Sequence, residues 1–276
     1  MRLDRRQLLK SLGLSVMAVP LIQACNNASS SSTVDSPPSN TTDGATTTTG
    51  DAPSGSDWAS GGTVSMTGKA DYPDPFGTAA TTCALVDGVT AGPCTTDTSI
   101  DREDVSEGWT GLPVRLAIRL VDSSCAPIAG AVVKIWHTNL AGSYSGVTPN
   151  PTMCLTDQSY SSANFMRGTR TSDANGAVYF DTCFPGWYRG RAVHIHFQVT
   201  SGSTTYKISQ LFFPEDLTAA IFTSHPEYKQ YGQPDTTFAN DNVMAGIPSA
   251  DRSRNILDYA RMTDGAMLAS KTVTVA

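Results

Sequence analysis

Apolar and polar positions along this chain fall into three regimes. The first 24 residues carry an apolar run behind a basic start that includes Arg5-Arg6. From Asn26 to about Gly62 nearly every residue is small, polar or turn-forming, a composition that cannot bury enough apolar surface to offset the entropy of ordering. After that, period-two alternation takes over and predicts short strands. In "PVRLAIRLVD" Val114, Leu116, Ile118 and Leu120 share one face, with Arg115 and Arg119 on the other; "CAPIAG" supplies a turn and "AVVKIWHTN" a second strand. Residues 140–166 form a long irregular stretch, of the length that in compact domains is often functional. "RTSDANGAVYFDTCF" reads as a hairpin, because Asn175-Gly176 suits a turn with positive φ at both central residues. "RAVHIHFQVTS" and "TYKISQLFF" are two more strands around Gly202-Ser203, and "PEDLTAAIFTSHPEYKQY" holds a short helix. Strands without intervening helices predict an all-β fold: an antiparallel β-sandwich with long loops and little helix.

The two leading regimes set the organisation. Residues 1–24 read as an export signal, since the apolar run is too short to span a bilayer. Within it "DRRQLLK" resembles a twin-arginine signal and "IQAC" a lipobox, whose Cys25 is then a lipid anchor; the alternative is an ordinary cleaved signal with an incidental cysteine. Residues 25–64 serve as a low-complexity tether, which leaves 65–276 as one folded domain. The expected location is outside the cytoplasm, periplasmic or at the cell surface, as a membrane-anchored lipoprotein. The chain's net charge is −6, and without the signal 15 basic residues face 24 acidic ones, a net of −9. That balance argues against a nucleic-acid partner and against a polybasic membrane contact.

Besides Cys25 there are five cysteines, Cys83, Cys94, Cys125, Cys154 and Cys183, without a CxxC pair. Disulfides suit an exported chain better than structural zinc. The odd number leaves one thiol over, and spacing does not give the pairing.

Chemistry concentrates in "FPGWYRGRAVHIHFQV". On a strand His194, His196 and Gln198 share one face, and Val193, Ile195, Phe197 and Val199 face the core. The two imidazoles sit about 7 Å apart at their backbones, near enough to reach one ion; alone the pair is a weak signal, and a solvated or hydrogen-bonded role is the commoner reading. Only four histidines exist, so a three-histidine zinc site needs His137 or His225. What lies nearby instead is tyrosine: Tyr188, six positions before His194, and Tyr144 in "NLAGSYSG". Phenolate is a hard anionic donor that favours Fe(III) over Zn(II) or Cu(I). Two tyrosinates and a hydroxide beside two neutral imidazoles balance a ferric ion. Trp136 and Trp187 read as packing residues or pocket walls, and Arg167 and Arg170 as sheet supports or a positive rim. His137 points opposite to Trp136 and is not assigned as a ligand.

The runs "PIAGAVVKIWHTNLAGSYSG", "FMRGTRTSDANGAVYFDTCFPGWYRGRAVHIHFQV" and "SQLFFPEDL" resemble the catalytic domain of the intradiol ring-cleavage dioxygenases, especially short exported members. The likeness covers roughly residues 80–245. It implies a non-haem Fe(III) enzyme in which Tyr144, Tyr188, His194 and His196 are the metal ligands and Tyr188 is the one displaced. Its substrates are then O2 and a catechol-type aromatic, cleaved to a muconate-type diacid. Arg191 matches an arginine that stabilises charge developing on the ring, and Gln210 a glutamine near the oxygen side.

Departures bear on substrate. The tether replaces the helical segment that makes cytosolic relatives dimeric. The short Tyr188 to His194 spacing suggests an open site for bulkier rings, and "AGPC" at residues 91–94 replaces an aromatic "GPYY"-like edge. Two other classes compete: a non-catalytic exported β-sandwich binding module, and a copper or zinc protein built on the HxH pair.

Overall fold

A computed structural model describes residues 54–77 and 83–275; the export signal, Cys25 and most of the tether lie outside them. In chain order the strands are β1 (Pro113–Val121), β2 (Val132–Trp136), β3 (Arg167–Thr171), β4 (Ala177–Cys183), β5 (His194–Ser201), β6 (Thr204–Phe212), β7 (Asp258–Arg261) and β8 (Met267–Thr274). Two helices are α-helical, α1 (Pro151–Cys154) and α2 (Glu215–Ser224), and single 3-10 turns occur between them and the strands. The strands form two four-stranded sheets, ordered β4-β1-β8-β7 and β3-β2-β5-β6. All pairings are antiparallel except β1 with β8. The molecule is the expected sheet-rich sandwich with long loops.

The alternation in sequence is the alternation in burial. Val114, Leu116, Ile118 and Leu120 are fully buried and meet Val133, Ile135, Ile195, Phe197 and Val199 of the facing sheet. Each such side chain contributes about 1.5–3 kcal/mol on leaving water. On the outer face Arg115 lies directly opposite Asp181 of β4 and binds it at 2.7 Å, which offsets both charges there. Helix α2 closes one end with Leu217, Ile221 and Phe222, packed with Phe184, Phe213 and Tyr228.

The expected hairpin over residues 170–184 is not one. β3 belongs to one sheet and β4 to the other, so the turn is a corner between layers. Of Asn175 and Gly176 only the glycine has positive φ, 77°. The Asp173 carboxylate accepts the N–H of Asn175 and of Ala177, each at 2.8 Å, and that side-chain turn redirects the chain. Gly176 is required because a Cβ there would lie 2.3 Å from the Leu120 carbonyl oxygen.

The tether boundary also shifts. Residues 54–64 lie against the sandwich: Trp58 is buried in the core beside Tyr259, and the Ala59 N–H donates to Gly265 O at 2.8 Å. A single large aromatic in an otherwise polar run is enough to dock it. The cysteines pair as Cys83 with Cys125 and Cys94 with Cys154, and Cys183 is the buried thiol left over, its pKa pushed up to about 12 by desolvation.

Candidate metal centre

One row of side chains crosses the β3-β2-β5-β6 sheet. Arg167 is the register partner of Trp136, Trp136 of His196, and His196 of Gln210, so all four project from the same face. His194 projects from the same face two residues earlier, at the start of β5, while Val193, Ile195 and Phe197 enter the core as the alternation requires. The indole of Trp136 covers His196 from one side, and both rings are buried.

The tyrosines come from loops. Tyr144 sits just after a turn built on Asn139, whose side-chain oxygen accepts the N–H of Ala141 and Ser143 at 3.0 Å each. Its own N–H donates to Cys154 O at 2.9 Å, within reach of the Cys94–Cys154 disulfide. Gly142, with φ 77°, lets this loop touch the segment bearing Tyr188: a Cβ there would stand 2.2 Å from Trp187 O. Tyr144 is buried and Tyr188 half-buried, at the more open side.

The four side chains converge. Tyr144 Oη lies 3.3 Å from Tyr188 Oη and 3.5 Å from His194 Nε2; Tyr188 Oη is 3.3 Å from His194 Nε2, which is 3.1 Å from His196 Nε2. Donors bound at about 2.0–2.1 Å to one first-row ion, at angles of about 90–120°, stand about 2.8–3.6 Å apart. The observed separations fall in that range, so the donor set fits a shared cation. His194 Nδ1 sits 2.6 Å from Ala192 O and donates to it, which turns the Nε2 lone pair toward the common point. His196 Nδ1 is buried without a hydrogen-bond partner among the described residues.

Electrostatics agree with the geometry. Burial, reinforced by Arg191, drops His194 to about 3, and burial with His194 beside it takes His196 well below its ordinary range. Both imidazoles are therefore neutral, lone-pair donors. Burial raises Tyr144 far above 10, and it raises Tyr188 as well, against the opposing pull of Arg191. Phenolates form here only beside a strong positive charge, which a polyvalent cation supplies.

Arg191 points three ways: Nη1 to Tyr188 Oη at 3.4 Å, Nη2 to Gln210 Oε1, and Nε to Asp241 Oδ2 at 2.9 Å. Every candidate drawn from the sequence thus meets in one place: Tyr144, Tyr188, Arg191, His194, His196 and Gln210. Arg167 is not a rim residue. It is buried behind Tyr144, its guanidinium 5.7 Å from that ring, and it donates to Ser145 O at 2.9 Å and Cys94 O at 2.6 Å. His137 hydrogen-bonds Thr138 O and Thr182 Oγ1, and His225 contacts Ala59 O, so neither histidine completes a three-histidine set. Among the described residues no group of three or more His, Cys, Asp or Glu gathers elsewhere as a metal site. Asp241 was not legible beforehand: "FANDNVMAG" carries no pattern, and the residue lies 50 positions beyond Arg191.

Comparison with known proteins points the same way. A family model described as "Dioxygenase" matches residues 92–245. The structure resembles that of an intradiol ring-cleavage dioxygenase from Tetranychus urticae, with 28% identity and a TM-score of 0.61, over 70% of this chain and 94% of that one. A chlorocatechol 1,2-dioxygenase from Rhodococcus opacus is 28% identical over 114 residues, 34% of this chain and 41% of that protein, so the match spans under half of that relative.

Proposed function

The chain belongs to the intradiol ring-cleavage dioxygenase family, and we propose that it is a non-haem Fe(III) enzyme that cleaves a catechol-type aromatic between its two hydroxylated carbons. The observation that carries this is the convergence of two phenol oxygens and two imidazole nitrogens: both phenol oxygens and His196 Nε2 lie 3.1–3.5 Å from His194 Nε2, and the two phenol oxygens lie 3.3 Å apart. That donor set also speaks against a copper or zinc protein resting on the HxH pair, and a binding module has no use for it.

Tyr144, Tyr188, His194 and His196 are the residues that hold the metal. When bound, the ferric ion activates a coordinated catecholate toward O2, both atoms of which enter a muconate-type diacid. Tyr188, half-buried and at the more open side, would be the residue that takes a catechol hydroxyl proton at its Oη. Arg191, whose Nη1 already touches that oxygen, presents fixed positive charge where negative charge develops on the ring, an effect typically of about 3 kcal/mol in rate. Gln210, cross-strand partner of His196 on β6, is held by Arg191 Nη2 beside the same cluster. Trp136 stacks behind His196 and keeps that ring buried.

Iron-loaded protein given catechol under 18O2 should consume one O2 per ring and yield a diacid in which two of the four carboxyl oxygens, one on each carboxyl group, are 18O. No O2 uptake, or a single labelled oxygen, contradicts the proposal. Export by the twin-arginine route and anchoring through Cys25 are part of the same reading, since a folded, metal-loaded domain suits that route. Replacement of Arg5-Arg6 by Lys-Lys should then keep the protein in the cytoplasm; unchanged export removes that element alone.

A further inference from the structure

Asp241 is a buried carboxylate whose side chain has no exposed surface, and it accepts four hydrogen bonds. Oδ1 takes the N–H of Val243 at 2.8 Å and of Met244 at 2.9 Å, which folds its own loop around the carboxylate. Oδ2 takes Arg191 Nε at 2.9 Å and the N–H of Ala192 at 2.8 Å. The loop itself is pinned beneath the sheet: Met244 and Phe238 pack with Ala192 and Phe212. A rigid carboxylate therefore grips Arg191 from the side away from the tyrosines, and the neighbouring peptide at the same oxygen.

A guanidinium is a planar fork, so fixing Nε fixes where both Nη atoms point. Here they point to Tyr188 Oη and Gln210 Oε1. Left alone, a long arginine side chain in a half-open pocket samples several rotamers, and charge stabilisation requires the donor to be in place beforehand.

We propose that Asp241 is a positioning residue of the proposed ring-cleavage site, acting through Arg191 and not on substrate directly. The inference rests on the dioxygenase reading above. Alanine removes the grip. Asparagine cannot replace it, because its NH2 faces either the donors of Arg191 and Ala192 or those of Val243 and Met244.

The test is a double-mutant cycle on the iron-loaded full chain with catechol, using Asp241→Ala and Asp241→Asn, Arg191→Met and the combinations. Three quantities are read: kcat, the dissociation constant for catechol without O2, and the melting temperature. In the wild-type background either Asp241 variant should lower kcat by about 10–100-fold, the usual effect of a lost orienting partner. In the Arg191→Met background the same change should cost no more than about twofold, the margin within which independent sites add. Full losses in both backgrounds, or no loss in either, overturn the proposal. So does failure of both Asp241 variants to fold, since the carboxylate then serves the fold. If the wild-type protein itself cleaves no ring, the functional reading fails and the inference falls with it; an active wild type with additive variants removes the positioning role alone.

Discussion

The indole of Trp136 lies flat against the imidazole of His196, with ring centroids 4.9 Å apart and planes inclined by 6°. The stack follows from strand register, since the two residues are cross-strand partners in β2 and β5. It joins packing on the outer face of the sheet to the metal centre: the ring that packs with Cys94, Tyr144, Cys154 and Leu155 also holds an imidazole in orientation.

Trp136→Ala should therefore cost about 3–5 kcal/mol of stability, as emptying a buried aromatic site does, and should loosen His196 as well. Trp136→Phe should lose far less, because the indole N–H is buried without a partner and its removal strands nothing. Urea unfolding of the metal-free variants measures the first effect, and iron retention on dialysis the second.

How much of this was legible in the sequence depended on range. His194, His196 and the apolar face opposite them follow from period-two alternation, which needs only nearest neighbours. Tyr144 and Tyr188 were chemically plausible donors and the family resemblance strengthened them, but their meeting was not legible, because Gly142 brings their loops together by a backbone approach that spacing does not reveal. The reversal at Asn175-Gly176 and its flanking strands were recognised and their pairing was not, since a local turn signal does not say which sheet each strand joins. Trp58 and Asp241 were missed for a related reason: each acts through partners far along the chain.

The disulfide between Cys94 and Cys154 closes a loop of 60 residues, and both cysteines pack with Tyr144, Trp136 and Leu155. On chain-entropy grounds its loss costs about 4 kcal/mol. The double variant Cys94→Ala/Cys154→Ala should melt at a lower temperature and, because Tyr144 N–H rests on Cys154 O, show a weakened tyrosine-to-metal absorption. Replacement of Cys83 and Cys125 should lower the melting temperature without that spectral change.

Acid sensitivity should come partly from the outer face of β1. Burial pushes the Glu103 carboxyl up, but hydrogen bonds from Arg115 and Lys69 outweigh it and hold the pKa at about 2 against an ordinary 4.5. A depressed folded-state value means stabilisation that is fully present above about pH 4.5 and lost as pH falls toward 2. Glu103→Gln should flatten the stability curve in that window, measured by urea midpoints from pH 6 to pH 2, and leave its slope near neutrality unchanged.

The central claim is that Tyr144, Tyr188, His194 and His196 hold one ferric ion, and the visible absorption spectrum of the purified, iron-loaded protein tests it most directly. A red-brown tyrosinate-to-Fe(III) band that Tyr144→Phe weakens, and that catechol shifts in the absence of O2, is the predicted result. A protein that stays colourless after iron reconstitution would contradict the account.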